Sequence, residues 1–501
     1  MKRILSLLFV FTMLVSVLAS CKPAEGIGGA SSSESSGNAE SSSSDIPTES
    51  VPEDTKPDLG ISDDLNLSGK DICIFHWDAY NPEFIVDDNA APGDPIYDAI
   101  YKKNLYTEEL LGVNMEFSSA PGDGGNMQNF TQALKNRMND PSTPVDITAA
   151  YARTTAMVAV NGLLTDLNVY DNLDLSKEWW PKNIQNEYDI NGKLYFVSGD
   201  ISTNLLLMMY GVYYNAPLLE NYGRDNPIEL VKNDEWTIDK FIELSTNVYE
   251  DRDDSGGPSN LDFYGLASAY WDIDAMYHAA GYKLVVKDKS GENIVKYSDE
   301  LFTELVGNYI DKLSEWVKLE DIATENGADH GNAFADGRSL FKIDAASAGF
   351  ALRETDIDYR AVPMPKLDPA VQEDYVTCLA NPFSLYGIPT SSANPEGAAA
   401  VMQTLGYYAM KYTTPAVFEV TLKGKFSKDE NMISMWEYMR EGISFDLGRV
   451  YHTQLGALCD FVSMAVSNGT KWSTLTTPLN IKSKERLMQN LNGTLKLLGG
   501  E

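Results

Sequence analysis

Asp71-Ile72-Cys73-Ile74-Phe75 is a short, unbroken apolar run, the pattern of a strand buried on both faces. Downstream a helix is expected, with Pro95 near its start, a stripe of Ile96, Ile100, Tyr101 and Leu111, and Gly112 at its end. Val113, Met115 and Phe117 then alternate as a second strand. The order repeats: Met127, Phe130, Leu134 and Met138 mark a helix, and Val145–Thr148 the next strand. Strand, helix, strand is βαβ grammar, hence a parallel sheet with helices on its faces.

A second region follows Tyr213-Tyr214-Asn215. Thr237 reads as the N-cap of a helix whose buried face carries Ile238, Phe241, Ile242 and Val248. Trp236, just before the cap, is placed to pack on Phe241 as a hydrophobic staple. Ser298 opens a longer helix with Phe302, Leu305, Val306, Tyr309, Leu313 and Trp316 on one stripe, which makes Trp316 a core residue. Strands return at Ser339–Ile343, Tyr359–Pro363 and Leu385–Ile388, and helices at Glu396–Lys411 and Asn431–Arg440. The pattern is two α/β lobes with interleaved segments.

The 501 residues are 43% hydrophobic and 11% aromatic, enough to bury a large core. The net charge of −34 repels a phosphate backbone, which excludes nucleic acid as a partner and disfavours broad contact with an anionic membrane. Neutral ligands are untouched by that argument. No CxxC pair, HExxH, GxSxG or GxxxxGK[ST] occurs. Ser339 and Lys342 have SxxK spacing, but the SDN and KTG elements that accompany it are missing. Hydrolase or transferase chemistry therefore has no visible carrier, although 73 acids leave a carboxylate pair open.

Lys2 and Arg3 precede an apolar run over Ile4–Ala19, an export signal too short to span a bilayer comfortably. Leu18-Ala19-Ser20-Cys21 resembles the bacterial lipobox, in which the cysteine is lipidated and becomes the first residue; the plainer alternative is a cleaved signal with an incidental cysteine. Lys22 to Leu65 is Ser-, Gly-, Asp- and Pro-rich, with ten Ser among residues 31–50, and reads as a flexible tether spanning about 35 Å. Cys73, Cys378 and Cys459 are left as buried free thiols.

Several passages together resemble extracellular solute-binding proteins of family 1, the sugar-binding lipoproteins of ABC transporters. Gly192-Lys193-Leu194-Tyr195-Phe196-Val197 followed by Val212-Tyr213-Tyr214-Asn215 is similar to that family's "GK-L-Y-x-(I/V)P … YYN", with Ser198 where the proline is expected. Trp236-Thr237-Ile238-Asp239-Lys240-Phe241, Phe263-Tyr264-Gly265-Leu266, Phe334 through Phe341 and Tyr386-Gly387-Ile388-Pro389 follow in the family's order. The resemblance implies a type II periplasmic-binding-protein fold, each lobe a mainly parallel sheet flanked by helices, joined by hinge strands. It divides the chain into a signal peptide (1–20), a tether (21–65), lobe 1 (66–197), lobe 2 (198–360), a return to lobe 1 (361–425), and lobe 2 with C-terminal helices (426–501).

In open α/β lobes ligands bind beyond the carboxyl ends of the strands. His76-Trp77-Asp78 follows the first strand, and Tyr151 with Arg153 follows the third. Aromatic faces suit sugar C–H groups, while Asp and Arg suit hydroxyls. Trp77, Asp78 and Tyr151 are accordingly candidate ligand contacts, against the alternative of loop aromatics that cover the sheet end. The resemblance adds Tyr270, Trp271 and Asp272. Asp200, after the first hinge strand, and Tyr451 with His452 near the last lobe's edge complete the set. Asp251, Asp253, Ser255, Gly256 and Asp262 occupy positions 1, 3, 5, 6 and 12 of a calcium-loop template, with Pro258 at position 8 and Asp in place of the usual Glu. The resemblance also implies structural calcium there; the alternative is an acidic turn. No organic cofactor is expected.

The chain thus reads as a monomeric, lipid-anchored, extracellular receptor that captures a sugar or oligosaccharide for the permease subunits of an ABC importer. A secreted glycan-active enzyme and a peptide-binding surface lipoprotein are the alternatives. Cys21→Ala should move the protein from the membrane to the soluble fraction, read by fractionation and blotting; retention with a working signal would refute lipidation.

Overall fold

In the computed structural model, residues 57–86, 94–324, 332–422 and 431–498 are described; the signal segment and Cys21 lie outside them. Strand β1 (Lys70–Trp77) lies at the heart of the first sheet. It pairs in parallel with β2 (Val113–Ala120) and β3 (Ile147–Tyr151). Helix α1 (Pro95–Leu111) connects β1 to β2; Asp94 caps its start and Gly112, at φ 66°, ends it in the left-handed region. Helix α2 (Met127–Met138) connects β2 to β3, and α3 (Ala152–Val160) leaves β3 directly. Two details of the sequence reading shift. β1 runs two residues past Phe75, so His76 and Trp77 are inside the strand, paired with Ser119 and Ala120, rather than in the loop beyond it. Tyr101 is exposed and does not belong to the buried stripe of α1.

The second sheet holds β4 (Tyr210–Asn215), β5 (Tyr264–Ala267), β8 (Ile322–Ala323), β9 (Ser339–Ala345) and β10 (Tyr359–Pro363), in the order β10-β4-β9-β5-β8. A hairpin of β6 (Val285–Lys287) and β7 (Asn293–Val295) stands apart, and β11 (Ser384–Gly387) returns to the first sheet, antiparallel to β3. The second sheet is evenly mixed: β4 is antiparallel to both its neighbours, while β5 is parallel to β8 and β9. The boundary expected at 360/361 cuts through β10.

The chain passes between the sheets before β4 and after β10. The two passages run side by side, with Tyr210 N donating to Cys378 O (3.0 Å) and Ala380 N to Met208 O (2.8 Å). This pair is the hinge expected of a two-lobe protein.

Local expectations hold where one element decides them. Thr237 caps the helix Ile238–Leu244, accepting from Lys240 N, and Trp236 packs on Phe241 at 5.5 Å between ring centroids. The longer helix is capped one residue later than expected, by Asp299, and runs Glu300–Trp316, with Trp316 buried. Gly265 is dictated by space: a Cβ there would lie 1.7 Å from Ser245 O. Cys73, Cys378 and Cys459 are free and buried. Ser339 and Lys342 are no catalytic pair: Ser339 Oγ donates to Phe341 O, and Lys342 pairs with Asp344 at 3.1 Å.

The tether ends earlier than the sequence implies. Residues 57–65 pack on the body: Leu59 is buried, and its carbonyl accepts from Gln403 Nε2 at 2.8 Å. Leu59, Ile61 and Leu65 give this stretch apolar area that the Ser-rich part lacks. Among the described residues no helix is long and apolar enough to cross a membrane.

Candidate functional site

Charges from both lobes and from the C-terminal segment converge beside the hinge. Arg153, at the start of α3, donates from Nε to Arg449 O (3.3 Å). Arg449 in turn donates from Nη2 to Leu379 O (3.1 Å) and Asn381 Oδ1 (3.2 Å), on the returning passage of the hinge. From the second lobe comes Asp274, on the helix Ile273–Ala279, within electrostatic reach of Arg449 and Arg153. The space at the centre, lined by Arg153, Tyr188, Asn381, Phe383, Asp446 and Arg449, measures about 10 Å³, room for one water. A ligand larger than water does not fit this space, and the two lobes meet beside it. Lys283 from the second lobe and Glu187 from the first form an ion pair of 2.6 Å across the same closure.

The sequence-derived candidates divide sharply. Tyr151 stands at this place, at the end of β3 and two residues before Arg153. Trp77 is 1% exposed; its Nε1 donates to Ser384 Oγ (2.9 Å) and its ring packs at a tilt against Tyr80 and Tyr151, so it covers the end of the sheet. Asp78 is half-buried just past β1. Asp200 is buried and engaged by Arg440 Nε (2.8 Å). Tyr451 is fully buried, its ring 6.1 Å from Phe196. Tyr270 opens the 3-10 turn Tyr270–Asp272 that leads into the helix Ile273–Ala279. Asp272 is buried and accepts from Ser268 Oγ and Ala269 N, both at 3.0 Å, so it caps that turn. Trp271 stands out from the same turn at 50% exposure.

Asp274 and Arg449 were missed. Asp274 could have been found as the next acid on the helix that begins at Tyr270; Arg449 carries no local signal.

In the loop before β5, oxygen atoms of Asp251, Asp253 and Asp262 lie within 4.8 Å of one another. Asp262 is buried and accepts from Arg252 N (2.9 Å), Ser259 N (2.7 Å) and Tyr249 Oη (2.9 Å). Asp251 and Asp253 accept from the backbone N–H of Ser255, and Asp251 also from Gly256. Arg252 turns away from the loop, pairing with Glu250 (3.0 Å) and lying over the Phe263 ring, while Arg338 donates to the Asp262 carbonyl (3.3 Å).

Residues 88–406 match the bacterial extracellular solute-binding protein family. The chain belongs to that family. No curated protein matches the sequence of this solute-binding protein. Its fold is shared by a cyclo/maltodextrin-binding protein complexed with maltotetraose (TM-score 0.54, 13% identity, 84% of this chain and 97% of that one). It is shared too by a family 1 extracellular solute-binding protein from Bifidobacterium longum subsp. infantis (0.52, 12%, 84% and 100%). A third is the maltose-binding periplasmic protein MalE from Listeria monocytogenes in complex with maltose (0.52, 13%, 84% and 98%). These likenesses establish the two-lobe fold of this solute-binding protein.

Burial pushes the Asp274 carboxyl up to about 7, against the pull of Arg449. The folded chain thus keeps a proton that the unfolded chain releases near pH 4 or so. Between those values the folded state binds more protons, so this group makes folding less favourable as pH rises. Asp274→Asn should therefore raise the melting temperature relative to the parent at pH 8, with the gain shrinking toward pH 5. Asp272, pushed up to about 7 by burial and by Asp344, leaves a residual slope in the variant.

Proposed function

We propose that this protein is a lipid-anchored receptor that closes its lobes on a sugar or oligosaccharide and hands it to an ABC importer. The observation that carries the reading is Trp271. Of the eight tryptophans, seven are 8% exposed or less, and Trp271 is at 50%. A half-exposed indole on the turn that leads into the helix Ile273–Ala279 offers a flat face for sugar C–H groups. Three residues on, Asp274 lies within electrostatic reach of Arg449 and Arg153, a set of polar groups that suits a ligand rich in hydroxyls. The sugars held by the structural relatives favour the same chemistry. The Ser-rich stretch before residue 57 would give the body its reach from a membrane-held Cys21.

A panel of mono- and oligosaccharides should raise the melting temperature without consuming the sugar, and one member should bind in calorimetry. Trp271→Ala should weaken that binding by about 1–3 kcal/mol while leaving stability unchanged, because the side chain is half in water. Turnover of the sugar would favour a glycan-active enzyme instead, and stabilisation by peptides alone a peptide-binding lipoprotein.

Structural calcium in the Asp251–Asp262 loop is part of the proposal. Three converging carboxylates fit a hard cation that takes six to eight oxygens, and Arg252 does not neutralise them. Chelator should lower the melting temperature and excess calcium raise it by mass action, with magnesium a poor substitute. Asp251→Ala with Asp253→Ala should abolish that response and spare sugar binding; a chelator-insensitive parent would leave only an acidic turn.

A further inference from the structure

Next to the cleft the chain doubles back on itself. Gly456 and Ala457 both have φ near +60°, a conformation rare for alanine, and Ala457 N donates to His452 O (2.9 Å). The reversal returns the short turn Leu458–Asp460 to His452. As a result His452 Nδ1 lies 3.0 Å from Cys459 Sγ, Sγ lies 3.4 Å from Asp460 Oδ1, and Nδ1 lies 3.6 Å from that same oxygen.

One nitrogen, one sulfur and one oxygen thus form a triangle. Tetrahedral zinc, with bonds of about 2.0 Å to nitrogen and oxygen and about 2.3 Å to sulfur, sets its ligand atoms about 3.3–3.6 Å apart. Two edges of the triangle already match or approach that spacing, and the third opens by a few tenths of an ångström on exchanging a hydrogen bond for a metal. Cys459 is buried, whereas the His452 and Asp460 side chains are 22% and 46% exposed, so the outer side of the triangle faces solvent. Burial disfavours protonation of His452, which leaves the imidazole lone pair free for a metal.

The charges around the triangle are mixed. Burial pushes the Cys459 thiol up to about 12; Arg449, and Arg153 whose Nη2 lies 3.6 Å from Sγ, pull the other way. Asp274 lies on the opposite side of the balance, and Lys484 faces His452. One thiolate and one carboxylate cancel a divalent ion.

We propose that His452 Nδ1, Cys459 Sγ and Asp460 Oδ1 bind a divalent cation of the zinc class, with a fourth position left to water. On binding, the S–H bond breaks, the sulfur pair goes to the metal and the proton goes to solvent. Sulfur and imidazole select borderline and soft ions over calcium and magnesium, so this site is chemically distinct from the acidic loop before β5. No CxxC or HExxH spacing announces it, because the reversal at Gly456-Ala457 makes the site.

The test uses the full chain, stripped with chelator, dialysed, and titrated with cobalt(II) chloride and then zinc chloride. One equivalent of cobalt should bind with a thiolate-to-cobalt charge-transfer band, and zinc should displace it. Cys459→Ser should abolish the band, and His452→Gln, at a partly open position, should weaken binding by more than about tenfold. The double variant Asp251→Asn with Asp253→Asn should keep the band. Cobalt binding without the charge-transfer band, binding unchanged in His452→Gln, or no stoichiometric binding would each overturn the proposal and leave a hydrogen-bonded thiol–imidazole–carboxylate cluster.

Discussion

Two backbone hydrogen bonds, Tyr210 N to Cys378 O and Ala380 N to Met208 O, hold the two passages of the chain together between the sheets. The layout of the molecule follows from them. Because the passages are adjacent, β11 returns to complete the first sheet after β4, β5, β8, β9 and β10 have built the second within a single excursion. The same adjacency places Leu379 and Asn381 under Arg449, and so brings the C-terminal segment onto the hinge.

The C-terminal segment ties the closure from outside the sheets. Arg449 O accepts from Arg153 of the first lobe, and the Asp446 carboxylate accepts from Leu284 N (2.6 Å) of the second. The β6–β7 hairpin reaches the same way: Lys287 pairs with Asp189 (2.6 Å) and Asn293 Nδ2 donates to Asp189 O (2.9 Å). Most of these contacts are polar and partly exposed rather than apolar, and such contacts exchange readily with water. Apolar contacts accompany them: the Phe445 ring packs on Tyr188 (4.6 Å) and the Tyr451 ring on Phe196 (6.1 Å).

The core behaves in the opposite manner. Trp77, Trp236, Trp316 and Trp436 are buried, and the indole N–H groups of Trp77, Trp236 and Trp316 each find an oxygen: Ser384 Oγ, Pro363 O and Ser245 Oγ. Burying an indole costs little once its one donor is satisfied. Trp271, at 50% exposure, stands out against this background.

The sequence by itself determined whatever one element decides locally. The apolar run at 71–75, the αL glycine after α1, the Thr237 cap with its Trp236 staple and the stripe ending at Trp316 were legible because each depends on residues a few positions apart. The family was legible for a related reason: its motifs sit where the backbone leaves little choice, as at Gly265, pressed against Ser245 O. Tertiary structure alone decided which side chains face the cleft. β1 ran two residues longer than its apolar run and carried Trp77 inside, while Tyr451 turned into the core. Arg153, Asp274 and Arg449, 121 and 175 positions apart along the chain, met at the hinge. His452 and Cys459 met through a left-handed reversal at a residue, Ala457, that gives no sign of it. Sequence spacing records periodicity within an element; distances between elements are set by how the two lobes close, and no local pattern encodes that.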